Sequence, residues 1–336
     1  MNKLIYDNYS QIFTFLKKSR QIRYWILHPM FVPLHMSQNS TYLSVCLNPV
    51  LQRTVILDDL QENRVNRSRD YRLDASGKGI NVTRVLQQLG GSCLHLTQAG
   101  GHFLELFLKL AAQDQLRVNR VESGTDIRIC TTLLNRARRT TTEIVEEGRR
   151  IEPETGTRLF DAFLKCIDAV DGLIISGSKA PGFSDTLHAD LVREAKQRSK
   201  RVILDTRGAD LVHALRYTPD MIKPNLSEFA ATFFPDADPD SQETLQTIEA
   251  KMLKLDRQGI LCILTDGSRA VRYAHQGRIH RLIPEPLQPV NTIGCGDAFT
   301  AGLAAYLGRG SIEQAIQQGI DCARANAQLL RPGVIR

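Results

Sequence analysis

The 336-residue chain has one tryptophan and only 6% aromatic residues, and its seven cysteines, at 46, 93, 130, 166, 262, 295 and 322, form no Cys-x-x-Cys pair. That spacing argues for unpaired thiols in a reducing, cytoplasmic setting. No Gly-x-x-x-x-Gly-Lys-Ser/Thr occurs, which excludes the P-loop class, and Phe299 stands where a dinucleotide fingerprint would need its third glycine. The eight histidines are scattered and predict no metal site. The apolar patches 12–16 and 24–32 are broken before membrane-spanning length. No small-residue cleavage signal follows Val32, so a secretory peptide is not expected either.

What remains is enough for one large domain. The composition is 42% hydrophobic, and no Pro/Gly/Ser linker or sustained repeat divides the chain. Five basic residues against one acid in positions 1–36 account for four of the seven net positive charges, leaving +3 on the rest. A body so nearly balanced suits an anionic small molecule better than nucleic acid. Residues 1–36 read as an N-terminal extension, with translation expected to start at Met36. The domain is expected over 37–336.

Two turns carry chemistry. Gly294-Cys295-Gly296-Asp297 precedes the helix-forming run Ala298 to Leu307. Two glycines within three residues let consecutive N–H groups converge, the helix adds its positive dipole end, and Asp297 stands beside them as a base. The bland alternative is an ordinary strand-to-helix turn capped by Asp297. The second turn, Ser76-Gly77-Lys78-Gly79-Ile80-Asn81, opens a helix whose Val82, Val85, Leu86 and Leu89 share one face. Lys78 offers a mobile positive charge for a phosphate, and Asn81 an amide for hydroxyls. Its alternative is a glycine-capped amphipathic helix with a solvated lysine.

With Leu47-Asn48-Pro49, Thr142-Glu143-Ile144, Ser176-Gly177-Ser178, Lys223-Pro224-Asn225-Leu226-Ser227-Glu228 and Asn291 to Asp297, these turns make six ordered matches. In them the chain resembles the PfkB branch of the ribokinase-like carbohydrate kinases, in particular its phosphosugar kinases. The resemblance implies an α/β three-layer sandwich with a mostly parallel central sheet and a small β lid, from segments about 50–72 and 120–147. Apolar runs at 43–47, 173–175, 202–204 and 261–264, most of them separated by helix-length amphipathic stretches, agree independently.

The resemblance also implies roles. Asp297 would be the base, with Gly294, Cys295 and Gly296 as the anion hole. Gln52, Gly77, Lys78, Asn81, Arg128 and Ser178 would bind the sugar, Arg128 gripping a phosphate already on it. Lys223, Asn225, Glu228, Thr265, Gly267 and Asn326 would serve ATP, Asn326 near the base, with Asn225 and Glu228 near Mg²⁺ through water. A homodimer through the lid is a further implication, as an exposed lid leaves strand edges uncovered.

Gln52 departs from the family's aspartate, which hydrogen-bonds sugar hydroxyls; an acceptor-only carboxylate has become an amide. Lys179 after Ser178 and Arg207 are further departures. The expected activity is ATP-dependent phosphorylation of a hydroxymethyl group on a ketohexose phosphate, first fructose 1-phosphate giving fructose 1,6-bisphosphate. Tagatose 6-phosphate and fructose 6-phosphate compete as substrates, and a non-catalytic sugar-phosphate sensor is the alternative from another class.

Overall fold

The computed structural model describes residues 40–239 and 241–336; the expected extension 1–36 and its start at Met36 lie outside them. The main sheet comprises β1 (Thr41–Cys46), β4 (Ser92–Gly100), β5 (Arg117–Asp126), β8 (Gly172–Ser176) and β9 (Arg201–Asp205). It continues through β10 (Met221–Ile222), β11 (Leu261–Asp266), β12 (Ala270–His275) and β13 (Arg278–Leu282). The spatial order is β13-β12-β11-β10-β9-β8-β1-β4-β5. Only β12 runs against the others, pairing antiparallel with β11 and with β13 at one edge.

The parallel strands are short apolar runs because both their faces are buried. Leu43, Val45, Leu173, Ile175, Val202 and Leu204 face one core layer, with the helices α3 (Thr155–Ile167), α4 (Leu187–Gln197), α5 (Gly208–Ala214), α6 (Leu226–Phe233) and α7 (Gln242–Arg257). The alternate residues Tyr42, Ile174, Ile203 and Ile263 face the other layer, with α1 (Lys78–Gln88), α8 (Cys295–Tyr306) and α9 (Ile312–Ala327). A third cluster lies under the lid, where Phe107 and Ala111 of α2 (Leu104–Gln113) meet Leu51, Ala75 and Ile80. The three-layer arrangement expected from the sequence is present.

The lid is a separate four-stranded sheet of β2 (Val50–Leu57), β3 (Asp70–Ser76), β6 (Arg128–Asn135) and β7 (Thr140–Val145), ordered β3-β2-β6-β7. Its second segment starts at Arg128 rather than near 120, because residues 117–126 run beside β4 in the main sheet. Register assigns its faces. Gln52 stands opposite Asp74 and Cys130, and Thr132 opposite Glu143, so these share the inner face with Arg128.

Strand order fixes where a ligand can enter. From β1 the chain moves outward through β4 and β5, then returns to β8 on the other side of β1. The crevice at the carboxyl ends of β1 and β8 is therefore a topological switch point, the place where open α/β sheets bind ligands. Among the described residues, no helix is long and apolar enough to cross a membrane.

Candidate active site

The carboxyl ends of β1, β8, β9 and β10 deliver their next residues to one place. At the switch point Asn48 Nδ2 donates to Ser178 Oγ at 3.3 Å, joining the segments that leave β1 and β8. The last residue of β9, Asp205, is 2% exposed. It accepts from Ser176 Oγ at 3.3 Å and Thr300 Oγ1 at 3.4 Å, and lies 3.5 Å from Lys223 Nζ and 3.6 Å from Lys78 Nζ. Burial alone would push its carboxyl up, but the two lysines outweigh that and hold it below the ordinary range. In return, Asp205 and then Glu228 hold the Lys78 ammonium above its usual value against burial.

The glycine turn closes over this group. Gly294 has φ +83°, a left-handed conformation that favours glycine, and any Cβ there would come within 2.8 Å of Gly333 N. It caps the start of α8, where the N–H groups of Gly296 and Asp297 have no partner one turn back within the helix. Cys295 N–H is drawn toward Thr292 O at 3.3 Å. Of the expected anion-facing set Gly294, Cys295 and Gly296, Cys295 thus has a carbonyl acceptor within the turn. A Cβ on Gly296 would lie 3.7 Å from Lys223 Nζ, so this lysine stands against the turn.

Asp297 is buried, and Oδ2 accepts from Asn81 Nδ2 at 2.8 Å. Burial pushes its pKa up to about 6; Lys78, the Asn81 hydrogen bond and Lys223 pull down, while Asp205 adds to the rise. A carboxyl so poised accepts and returns a proton near neutrality. Cys295 is no reactive thiol, since burial pushes it up to about 11.

Asn225 and Glu228, expected near the nucleotide, form a reciprocal capping box: Asn225 Oδ1 accepts from Glu228 N at 2.7 Å, and Glu228 Oε2 from Asn225 N at 3.0 Å. Glu228 Oε1 points to Lys78 Nζ at 3.5 Å. Thr265 bridges Asn225 at the end of β11, and Gly267, at φ +53° with open space around it, follows. Asn326 is fully buried, donating to Ile293 O at 2.9 Å and accepting from Gly333 N at 2.7 Å. These bonds brace the turn, at the residue expected near the adenine base. Among the described residues no cluster of three or more carboxylates, histidines or cysteines suits a metal. The lone Glu228 carboxylate and the Asn225 oxygen are hard donors that fit Mg²⁺ carried chiefly by phosphates.

Of the residues expected to bind the sugar, Gly77 takes φ +116° before α1, and Lys78 and Asn81 sit in the first turn of that helix. Arg128 starts β6 on the inner lid face; its Nη1 donates to Glu146 O at 3.0 Å, and its Nε has no protein partner. Glu143 shares that face, its carboxyl pushed up by partial burial and pulled back by Arg128. Gln52, also buried, donates from Nε2 to Thr132 Oγ1 at 2.9 Å. Lys179, one of the departures, pairs with Asp210.

Asp205, Ser76, Arg84 and Thr300 had no functional role in the sequence reading. The only local signal for Asp205 is an acid at the carboxyl end of an apolar strand.

The switch-point crevice thus holds a buried carboxylic acid, a helix start and two lysines beside a β lid. Residues 45–333 match the pfkB family of carbohydrate kinases, and the chain belongs to that family. Among solved structures, it is similar to a possible 1-phosphofructokinase from Thermotoga maritima, with TM-score 0.78 and 22% identity over 87% of this chain and 93% of that one. It is also similar to phosphofructokinase-2 from Escherichia coli, with TM-score 0.75 and 21% identity over 87% of this chain and 94% of that one.

Proposed function

We propose that the protein transfers the γ-phosphoryl group of ATP to a hydroxymethyl group of a ketohexose phosphate, with fructose 1-phosphate giving fructose 1,6-bisphosphate as the first choice. The observation that carries this reading is Arg128 on the inner lid face, with a buried Nε that has no protein partner, in a chain whose buried Asp297 is poised as a base. An arginine fork there suits a phosphate the sugar already bears.

The hydroxyl proton passes to Asp297 as the oxygen–phosphorus bond forms and the bond to ADP breaks. With Oδ2 held by Asn81, Oδ1 is the atom left to face the hydroxyl. Charge on the transferring group meets the N–H groups of Gly294, Gly296 and Asp297 together with Lys223 and Lys78. Mg²⁺, held near Asn225 and Glu228 through water, would neutralise phosphate charge. Lys223, Thr265 and Gly267 serve the nucleotide, while Gly77, Lys78, Asn81, Ser178 and Gln52 serve the sugar.

The reading extends to a homodimer. The outer lid face leaves Tyr71 and Ile144 exposed, and a hollow of about 360 Å³ lies among Val55, Tyr71 and Leu133. A second lid covers such a face and its strand edges.

The test is ATP turnover with Mg²⁺ on fructose 1-phosphate, fructose 6-phosphate, tagatose 6-phosphate and the free sugars. Turnover on one phosphosugar, abolished in Asp297→Asn, is expected. Sugar-phosphate binding with no turnover on any of them would favour the sensor reading instead.

A further inference from the structure

One fully engaged arginine has no part in the transfer described above. Arg84 lies one helical turn beyond Asn81 on α1 and is 3% exposed. Its Nη1 donates to Asn81 Oδ1 at 3.0 Å and lies 3.4 Å from Pro332 O. Nη2 donates to Ala75 O, and Nε to Asp114 Oδ2 at 2.9 Å. Each nitrogen of this buried guanidinium has an acceptor, so its placement is set from three directions.

The consequence falls on Asn81. The two ends of a carboxamide have nearly the same shape, and their partners decide which way it lies. Here Oδ1 accepts from both Arg84 Nη1 and Ser76 Oγ, the latter at 3.0 Å. Only the NH₂ end is left for Asp297 Oδ2. Reversal would set two donors against an NH₂ and a carbonyl oxygen against a carboxylate.

Arg84 is in turn held by the segment 331–335. A Cβ on Gly333, at φ +68°, would come within 2.8 Å of Asn81 Cα and 2.9 Å of Arg84 Nη1. Ile335 N donates to Gln88 Oε1 at 2.8 Å, and Arg331 pairs with Asp74 and Asp114. The same segment touches the phosphoryl turn through Gly294 and Asn326.

We infer that Arg84 is a positioning residue for phosphoryl transfer: it fixes the Asn81 amide so that the NH₂ end holds Oδ2 of Asp297 and Oδ1 is presented to the acceptor hydroxyl. This rests on the kinase reading of Asp297. The charged and titratable groups around that carboxyl are Lys78 from α1, Asp205 from β9, Lys223 after β10, Cys46 at the end of β1 and Cys295 on its own helix. Arg84 acts through Asn81.

Arg84→Met and Arg84→Lys test it, with kinetics on the phosphosugar that the wild type turns over and with ¹³C-aspartate NMR. Asp297→Asn assigns the Asp297 signal. In Arg84→Met, kcat is expected to fall about 30-fold while the sugar KM moves less than about threefold. Asp297 is expected to titrate higher than in the wild type in both variants. Arg84→Lys, which keeps the charge and one donor, is expected to recover part of the loss. A folded Arg84→Met with wild-type kcat overturns the inference, as does a kcat loss with the Asp297 titration unmoved, which marks a structural role only. Should Arg84→Met not fold, the same outcomes are read from Arg84→Lys. A wild type that turns over no phosphosugar removes the kinase reading, whereas the titration comparison still decides whether Arg84 sets the state of Asp297.

Discussion

The floor of the site and the lid over it are built by opposite rules. On the floor, Asp205, Lys223 and Asp297 are all buried, and each is held by partners from elements far apart in the chain. In the lid, β7 is exposed along its whole length, and Arg136 divides itself between the exposed acids Asp58 and Asp70. Buried charges tolerate little displacement, because an unpaired one is costly, whereas exposed pairs rearrange at little cost. The contrast suits a division of labour in which the floor performs the transfer and the lid selects the sugar.

If that division holds, the largest effect belongs to the floor. Asp297→Asn is expected to lower kcat by about 10³-fold with the sugar KM nearly unchanged, measured in a coupled ADP assay. The same variant is expected to be more stable than the wild type at pH 8. Asp297 is raised in the folded state, so its favourable share is present below the unfolded carboxylate pKa and lost as pH rises through about 6. The gain from Asn reaches up to about 3 kcal/mol at pH 8 and vanishes near pH 4, as read by urea unfolding. A wild type that is the more stable of the two at pH 8 would break this account of the floor.

The lid is expected to answer in the other kinetic constant. Arg128→Met should raise KM for the phosphosugar about 50-fold and leave kcat within about threefold, because a phosphate contact remote from the reacting hydroxyl contributes to binding. Losing kcat rather than KM would erase the distinction between the two regions.

The body was more legible in the sequence than the site's connections. Short, near-continuous apolar runs such as Leu43 to Leu47 and Val202 to Leu204 give strands buried on both sides, and the glycine turn at 294–297 announces the start of α8. Lys78, Asn81, Lys223, Asn225 and Glu228 lie in turns whose local pattern carries meaning. Asp205 does not, since Lys78, Ser176, Lys223 and Thr300 reach it only after five separate segments have packed. Arg84 is legible as a helix residue and nothing more, because its partner Pro332 is 248 positions away. The bracing role of Asn326 was illegible for the same reason: its hydrogen bonds to Ile293 and Gly333 depend on how the chain returns after α9. The lid boundary near 120 failed because β5 is rich in residues that suit either sheet, and pairing with β4 decides.

Acidity sharpens the contrast further. With Asp297 pushed up to about 6, its base form predominates at pH 7 and is the minority at pH 5. kcat is therefore expected to fall about tenfold from pH 7 to pH 5, with a single-proton slope. Arg128→Met should keep this acid limb in place, as the lid arginine does not act on the floor carboxyl. A limb that moves with the lid variant would mean that the two regions share one electrostatic unit.

The smallest effect is expected where the regions touch. Gln52 stands directly opposite Asp74 on β3, both buried on the inner lid face, and Asp74 is already bound by Arg72 and Arg331. The family's aspartate at this place would put a second carboxylate across the same rung, where like charges oppose each other. Neutral Gln52 avoids that and donates to Thr132 instead. Gln52→Asp is thus expected to cost about 1 kcal/mol of stability and to change the sugar KM only a few-fold, with kcat preserved. Urea unfolding and steady-state kinetics on the same preparation decide it. A large gain in kcat would mean that position 52 belongs with the floor and that its amide limits the chemistry; a shift confined to KM keeps it in the lid, as a group that tunes which sugar hydroxyls are accepted.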